Sequence, residues 1–430
     1  MQSAIALNVQ QSIRPGECFD SFYSGKENSH KQCHATVEDN RFFQSLQSLT
    51  SGGSSTVTFN PNEGLGEVLL TIQLPYSNTA GVQGLGLPAG WGYQLIRRIG
   101  YRYGSSQLYY ITGAQNLVQT LSLCEDTGKR DQVYALGGQA LLQDSDWANA
   151  AKRTAYVYLR LPHSSPALAG GALPFPSDVL TAPVQLQIDL QDFASVITQT
   201  PGATGVLPAA LLSGSVNFTQ VTMQDAGDLV ARRFDMSKHA LTIPLPEGWT
   251  QEAVSFPFTS GAGDGSFSLS LTGCKAGDLK KLRVWFLDPA AVTVGGLVNP
   301  NNFVAPTSLR FAINGLIYQD SAFGSYLLTQ LIRRRTAPTV SGTVLALGAG
   351  PGYIVASTAA SWSWAEIDLA QPHTLGDTGE SALVHGVPVM NSVLSLTGTM
   401  PTAAYSYVCF VEYVLNCSWM ASRGSAEFIF

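Results

Sequence analysis

The sequence predicts an all-β protein built from two tandem β-sandwiches. Three observations support this fold class. The chain has 430 residues, which is more than one hydrophobic core usually supports, so two domains are expected. Short runs of alternating apolar and polar residues recur between turn clusters from residue 56 onward, as in strands with one buried face. A block in the first half also recurs in outline about half a chain length later.

The predicted strands are short and separated by residues that favour turns. In the first half they cover residues 57–59, 67–74, 93–103, 107–111, 155–161, 184–190 and 215–221. In the second half they cover residues 240–245, 266–271, 282–287, 309–313, 361–369, 393–396 and 405–415. Helices are predicted only at residues 113–124, 144–152 and 324–335. Because strands dominate, a fold with crossover helices between parallel strands is disfavoured.

The internal repeat aligns Ile99–Leu121 with Leu309–Leu331, an offset of 210 residues. Both blocks contain a strand, a glycine turn, a short strand with tyrosine, a glycine, and then a helix with apolar residues at matching positions. An offset close to half the chain length indicates a duplicated sandwich. We expect an N-terminal arm at residues 1–55, a first sandwich at 56–230 and a second at 231–430, with the linker near residues 226–239.

Composition argues against several functional classes. The net charge of −6 provides no global positive field for a polyphosphate backbone, so we expect no specific nucleic-acid partner. No apolar run reaches the length of about 18 residues that a membrane helix needs, and the N-terminus lacks the pattern of a signal peptide. We therefore expect synthesis in the cell interior. Only 13% of residues are charged, which indicates a surface covered in part by neighbouring subunits.

No arrangement of residues predicts catalysis, cofactor binding or a metal site. The cysteines are too sparse for a disulfide scaffold and are expected to be mostly reduced. A zinc site is disfavoured because the spacing of the Cys and His residues near the N-terminus fits no usual ligand set. The cysteines are Cys18, Cys33, Cys124, Cys274, Cys409 and Cys417, and the zinc candidates are Cys18, His30, Cys33 and His34.

Other motifs have plain structural interpretations. The glycine-rich segment 348–352 is a turn, because its proline removes an amide donor and no Gly-Lys-Ser/Thr follows. The carboxylate pairs at residues 144 and 146, and at 225 and 228, suit turns and helix caps. The basic cluster 333–335 is either a solvated helix end or a local contact for a phosphate or a partner.

Aromatic residues near the C-terminus carry two further predictions. Trp362 and Trp364 share one face of a strand, where they either bind a glycan by stacking or pack in a core or subunit contact. The terminal segment Glu427–Phe430 is too apolar to remain in solvent. We expect it to dock as a strand, with a contact to a partner as the second choice.

Three stretches resemble segments of the double jelly-roll major capsid proteins of DNA viruses, the lineage of adenovirus hexon, tectiviruses and nucleocytoplasmic large DNA viruses. Trp91–Leu108 resembles their strand and Gly turn before a helix, and Tyr405–Phe430 resembles their terminal strand. Arg153–Pro162 and Ala182–Leu190 are similar to their paired strands around a Pro-rich connection. These features extend from about residue 56 to 430.

The resemblance implies two tandem eight-stranded jelly-roll sandwiches with short helices in the connections. It further implies a non-enzymatic virion protein that forms homotrimers of pseudo-hexagonal outline and tiles an icosahedral shell. Minor capsid or penton proteins, and an internal membrane or scaffold, are the other partners it suggests. The alternatives are a lectin-like carbohydrate-binding sandwich or a minor capsid or vertex protein. A sandwich hydrolase or cupin lacks the acid pair or the His-x-His ligands it would need.

Overall fold

The protein is described here from a computed structural model in which strands predominate. The structure describes residues 38–59, 64–75, 85–87, 89–103, 106–122, 127–141, 144–159, 183–192, 196, 198–199, 212–222, 241–244, 248–288, 304–322, 342–347, 354–360, 364–369, 386–422 and 425–429. Within these ranges, no helix is long and apolar enough to cross a membrane.

The first sandwich is formed by two four-stranded antiparallel sheets. Its strands are β1 (Glu38–Leu49), β2 (Ser54–Phe59), β3 (Gly64–Gln73), β4 (Leu85–Gly86), β5 (Ile96–Tyr103), β6 (Ser106–Thr112), β7 (Thr154–Leu159), β8 (Val184–Leu190), β9 (Thr198–Gln199) and β10 (Leu212–Thr222). One sheet has the order β1–β10–β3–β7 and the other β2–β8–β5–β6, while β4 and β9 pair only with each other. Consecutive principal strands therefore lie in opposite sheets, except for the hairpin β5–β6, which is the jelly-roll pattern.

The second sandwich repeats this connectivity. Its strands, with the flanking ones, are β11 (Leu241–Pro244), β12 (Trp249–Thr250), β13 (Val254–Thr259), β14 (Ser266–Leu271), β15 (Asp278–Leu287), β16 (Ser308–Ile313), β17 (Leu316–Ala322), β18 (Gly342–Leu347), β19 (Ile354–Ala360), β20 (Trp364–Asp368), β21 (Val387–Pro388), β22 (Leu394–Thr399), β23 (Ser406–Leu415), β24 (Ser418–Ser422) and β25 (Ser425–Ile429). One sheet contains β13, β23, β15 and β20, and the other has the order β14–β22–β16–β17. Two jelly rolls thus follow each other along the chain, which confirms the predicted fold class.

The predicted repeat corresponds to equivalent strands of the two sandwiches. β5 and β6 are the fourth and fifth principal strands of the first jelly roll, and β16 and β17 hold the same places in the second. Both pairs are hairpins within the sheet that also contains the second and seventh strands. The 210-residue offset therefore matches the duplication of one fold. The helix predicted at residues 324–335 lies outside the described residues.

Four short helices accompany the first sandwich. They are α1 (Trp91–Leu95), α2 (Gly113–Ser122), α3 (Thr127–Leu136) and α4 (Asp144–Ala148). Helices α2, α3 and α4 all lie in the connection from β6 to β7. The helices predicted at residues 113–124 and 144–152 are thus present as α2 and α4, whereas α1 and α3 were not predicted.

Each jelly roll encloses an apolar core made by the inner faces of its two sheets. In β2 and β14, exposed and buried residues alternate without interruption, which is the pattern from which both strands were predicted. In the second core, the rings of Phe258, Phe267 and Phe286 lie 5.1 to 6.1 Å apart. Burial of such rings supplies most of the stabilisation of a small sandwich.

The structure also differs from the sequence expectations in two of the ranges predicted for the first half of the chain. Glu38–Leu49, within the range interpreted as an arm, forms β1 and pairs with β10, so the first sheet begins earlier than expected. Residues 93–95, predicted as strand, belong to α1. Tertiary packing favours a helix over a strand here, because Trp91 is buried and its indole N–H donates to the carbonyl of Gln139 at 3.0 Å.

The last described residues dock beside the segment that follows the first sandwich. Strand β24 pairs with β11 on one side and with β25 on the other, so the three form a separate antiparallel sheet. The predicted terminal strand, expected at Glu427–Phe430, is present as β25. Its backbone is therefore paired rather than left as an open tail.

Candidate functional site: the contact between the two jelly rolls

Helix α2 of the first jelly roll lies against the second jelly roll. The helix begins in a capping box, in which the Gln115 amide N–H donates to Thr112 Oγ1 at 3.1 Å. In return, the Thr112 N–H donates to Gln115 Oε1 at 3.4 Å. A glycine is required at position 113, because a Cβ there would lie 2.2 Å from the carbonyl oxygen of Tyr93.

The same side chain that caps α2 also reaches the second jelly roll. Gln115 Nε2 donates to the carbonyl of Gln251 at 2.6 Å. Gln115 Oε1 accepts from the Ala253 N–H at 3.1 Å. Since Gln115 is fully buried, these hydrogen bonds are shielded from water. Each of them favours one position of α2 on the second jelly roll.

A row of charged side chains crosses the sheet that α2 faces. Glu366 on β20, Arg283 on β15 and Glu412 on β23 lie opposite one another in register. Arg283 Nε donates to Glu366 Oε2 at 3.0 Å, and Arg283 Nη1 donates to Glu412 Oε1. Lys281 Nζ lies 3.0 Å from Glu366 Oε1. Two carboxylates thus face two cations, and the row carries no net charge.

The charged row is joined to α2 through Gln119. Its Nε2 donates to Glu412 Oε2 at 3.0 Å, in a contact buried from solvent. Gln119 lies one helical turn beyond Gln115, so both amides project from one face of α2. Asn116, on another face, donates to the carbonyl of Tyr158 at 2.8 Å and holds α2 on its own jelly roll. Helix α2 is therefore hydrogen-bonded to both jelly rolls.

An aromatic row lies next to the charged row on the same sheet. Trp364, Trp285 and Phe410 are paired across β20, β15 and β23. The rings of Trp285 and Phe410 are stacked, with centroids 5.8 Å apart and an angle of 7° between their planes. Trp364 is only 2% exposed, so this residue is packed and cannot serve as a glycan platform. Trp362 lies outside the described residues.

A second feature is an exposed apolar tip at one end of the second jelly roll, formed by Leu316, Ile317, Met390 and Val393. Leu316, Met390 and Val393 are each 64 to 69% exposed. Asn314 ties the two segments together, because its Oδ1 accepts from the Val393 N–H at 2.8 Å and its Nδ2 donates to Ser392 at 3.1 Å. Residues 311–319 and 386–399 contain no charged side chain. Exposed apolar clusters of this kind mark contact surfaces.

The remaining sequence candidates are distributed as follows. Asp146 Oδ1 on α4 lies 2.6 Å from Lys152 Nζ. This carboxylate therefore has a structural role as the partner of a lysine. Cys274 and Cys409 are free thiols, Cys417 is buried, and no three potential metal ligands cluster within the described ranges. Several candidates lie outside the described residues: Cys18, His30, Cys33, His34, Cys124, Asp225, Asp228, Arg333, Arg334, Arg335 and the segment 348–352.

Neither the family models nor the curated proteins that were compared match this sequence. Solved structures do match. The chain is similar to the capsid of the virus PBCV-1, with 11% identity and a TM-score of 0.56 over 92% of this chain and 97% of that one. It is also similar to PBCV-1 VP54, as fitted into a reconstruction of the virophage Sputnik, with 13% identity and a TM-score of 0.54 over 91% and 97% of the two chains.

The Faustovirus major capsid protein is a third similar structure, with 8% identity and a TM-score of 0.51 over 94% of this chain and 92% of that one. These matches cover both jelly rolls in a single alignment, which agrees with the strand order described above. The chain therefore has the double jelly-roll fold found in these viral capsid proteins.

Proposed function

We propose that the protein is a viral major capsid protein that self-assembles as homotrimeric capsomers in an icosahedral shell. The observation that carries this proposal is the presence of two jelly rolls with the same connectivity in one chain. A ring of three such subunits contains six similar sandwiches. It therefore has a nearly sixfold outline that can pack in a closed lattice.

The contact between the jelly rolls supports this function, because a lattice subunit must hold a fixed shape. Helix α2 bonds to both sandwiches through Gln115, Asn116 and Gln119. Directional hydrogen bonds to a buried ion pair define the angle between two bodies more narrowly than apolar contact alone. The two sandwiches would accordingly enter the capsomer as one unit.

The exposed apolar tip supports self-association as well. A monomeric protein rarely leaves several large apolar side chains clustered in solvent, and the tip has no charges to oppose close contact. We assign it to contacts with other capsid subunits or with minor capsid or penton proteins. An internal membrane or a scaffold is a further candidate partner, and specific nucleic acid is not among the proposed partners. The proposed role is structural rather than enzymatic, and the location is the virion.

The proposal is tested by expressing the chain alone and measuring its mass by light scattering coupled to size exclusion. A species of three times the chain mass is expected, and negative-stain images should show particles of pseudo-hexagonal outline. A monomer at all concentrations would contradict the proposal. So would a stable pentamer, which indicates a vertex protein instead.

A further inference from the structure

Equivalent sheets of the two jelly rolls are covered to different extents on their outer faces. The sheets β13–β23–β15–β20 and β1–β10–β3–β7 both contain the first, eighth, third and sixth principal strands of their jelly rolls. In the second jelly roll, Trp364 and Trp285 on the outer face are 2% and 1% exposed. In the first jelly roll, Tyr156 on the outer face is 44% exposed, and Gln73 is exposed too. The first sheet therefore keeps an outer face that is accessible to solvent.

This open face is defined by six outward residues of β3 and β7, which pair across the two strands: Tyr158 with Leu69, Tyr156 with Thr71, and Thr154 with Gln73. Residues 69–73 and 154–158 contain no charged side chain. In the described sheet β7 is an edge strand, and an edge strand in solvent is commonly protected by charges. Protein interfaces are enriched in tyrosine and depleted in lysine, glutamate and aspartate. The open face therefore has the composition of a contact surface.

The contact inside the chain shows how a jelly roll covers this kind of sheet. The first jelly roll presents the end of its hairpin at which β5 begins and β6 ends, followed by α2. Arg98 on β5 lies 3.4 Å from Glu252, and Gln115 on α2 donates to the carbonyl of Gln251. The second jelly roll receives these groups beside β13 and on the outer face of its sheet. Different surfaces thus meet, and the contact is head-to-tail.

The second jelly roll contains the counterpart of the presenting hairpin. It is the end at which β16 begins, at Ser308, and β17 ends, at Ala322. A head-to-tail contact between two like bodies leaves one presenting surface and one receiving surface for further contacts. In this chain the remaining presenting surface belongs to the second jelly roll, and the remaining receiving surface is the open face of the first.

We propose that the open face receives the second jelly roll of another copy of this chain, in the same head-to-tail sense as the contact inside the chain. The inference rests on the proposed trimer and assigns the surface through which its subunits join. In a closed ring of six sandwiches, contacts inside a subunit then alternate with contacts between subunits.

The two kinds of contact differ in their chemistry. The contact inside the chain contains the buried charged row of Arg283, Glu366 and Glu412, whereas the outward residues of β3 and β7 on the open face are uncharged. A jelly roll suited to one surface therefore does not suit the other, and such a difference favours one order of sandwiches around the ring. Because exposed charges are what salt screens, the trimer mass should be the same at low and at high salt.

The test places a charge at the centre of the open face. Thr71→Arg should weaken association by at least about 30-fold, because the guanidinium would be buried in the contact without a partner. Thr56→Arg is the matched control, since Thr56 is an exposed outward residue on β2 in the other sheet of the same jelly roll. Light scattering coupled to size exclusion should show a monomer for Thr71→Arg and a trimer for the wild type and Thr56→Arg.

Circular dichroism and thermal unfolding verify that each variant is folded. Should Thr71→Arg fail to fold, Gln73→Arg at the exposed neighbouring position decides in its place. A wild-type trimer that persists in these open-face variants overturns this inference and leaves the proposed function standing. Loss of the trimer in Thr56→Arg as well would overturn the assignment of the open face. A wild-type chain that is monomeric at all concentrations overturns the proposed function and this inference together.

Discussion

Gln119 on α2 donates a hydrogen bond of 3.0 Å to Glu412 on β23, although 293 residues separate them along the chain. Glu412 is fully buried and also accepts from Arg283. One carboxylate therefore receives hydrogen bonds from both jelly rolls. A buried carboxylate is stable only when such partners are in place, so the contact requires the two sandwiches to meet in one arrangement.

Replacement of Glu412 by Gln should strongly destabilise the protein. The substitution keeps the size of the side chain but leaves Arg283 buried with one carboxylate fewer. Breaking a buried ion pair costs about 3 kcal/mol, so the midpoint of urea unfolding should fall markedly. The matched control is Glu252→Gln, because Glu252 pairs with Arg98 at an exposed position and should cost less than about 1 kcal/mol. Equal effects of the two substitutions would contradict the assigned role of Glu412.

Substitutions of Gln115 can distinguish its role as the cap of α2 from its role in the contact between the jelly rolls. Gln115→Ala removes the acceptor for the N–H groups of Thr112 and Ala253, and we expect a loss of about 2 kcal/mol. Gln115→Glu keeps the acceptor for both N–H groups, but it replaces the donor to Gln251 by an oxygen and adds a buried carboxylate, so it should also lower the stability of the protein. Hydrogen exchange at the Ala253 amide is therefore expected to accelerate in Gln115→Ala but much less in Gln115→Glu. Identical exchange in both variants would argue against the bond to Ala253.

The apolar tip should affect assembly and not folding. The double substitution Leu316→Ser and Met390→Ser changes side chains that are 64% and 69% exposed, so the thermal midpoint should change little. We expect light scattering to show a higher protein concentration for half-maximal assembly, because apolar contact area is lost. Thr56→Arg, at an exposed position of the first jelly roll, is the control. Unchanged assembly in the double variant would exclude the tip from the lattice contacts.

Cys274 should react slowly and with an unusual pH dependence. Burial raises the pKa of its thiol to about 11, and only the thiolate reacts with alkylating reagents. At pH 8, alkylation of Cys274 should be about 100-fold slower than that of a thiol with a pKa of 9. The rate should continue to rise about tenfold per pH unit up to a pH near 11. Mass spectrometry of the peptide containing Cys274 measures this rate, and a plateau near pH 9 would contradict the prediction.

Strands with one solvent face were predictable because their side chains alternate. The predicted ranges for β8 and β14 agree with Val184–Leu190 and Ser266–Leu271. Strand β13 was not predicted, and it contains Pro257. In the described sheet β13 pairs only with β23, and an edge strand of this kind tolerates a missing N–H. Local sequence does not reveal which strands lie at an edge.

The contact between jelly rolls was missed although the sequence contains signals for it. Arg283, Glu366 and Glu412 each interrupt an apolar strand, which favours pairing between opposite charges. The spacing of Thr112 and Gln115 is that of a capping box. The sequence does not identify which charged residues pair with each other, because the order β20–β15–β23 joins strands that are distant in the chain. Burial of Trp285 and partial burial of Phe410 on an outer sheet face likewise depend on that tertiary arrangement.

The sheet that joins β11 to the terminal hairpin has a consequence for biosynthesis. β11 follows the first jelly roll, yet its hydrogen-bonding partner β24 follows the second jelly roll. Domains generally fold from the N-terminus as the chain emerges, so the first sandwich can form before β24 has been synthesised, while this small sheet cannot. Closure of this small sheet therefore has to wait until the whole second jelly roll has been synthesised.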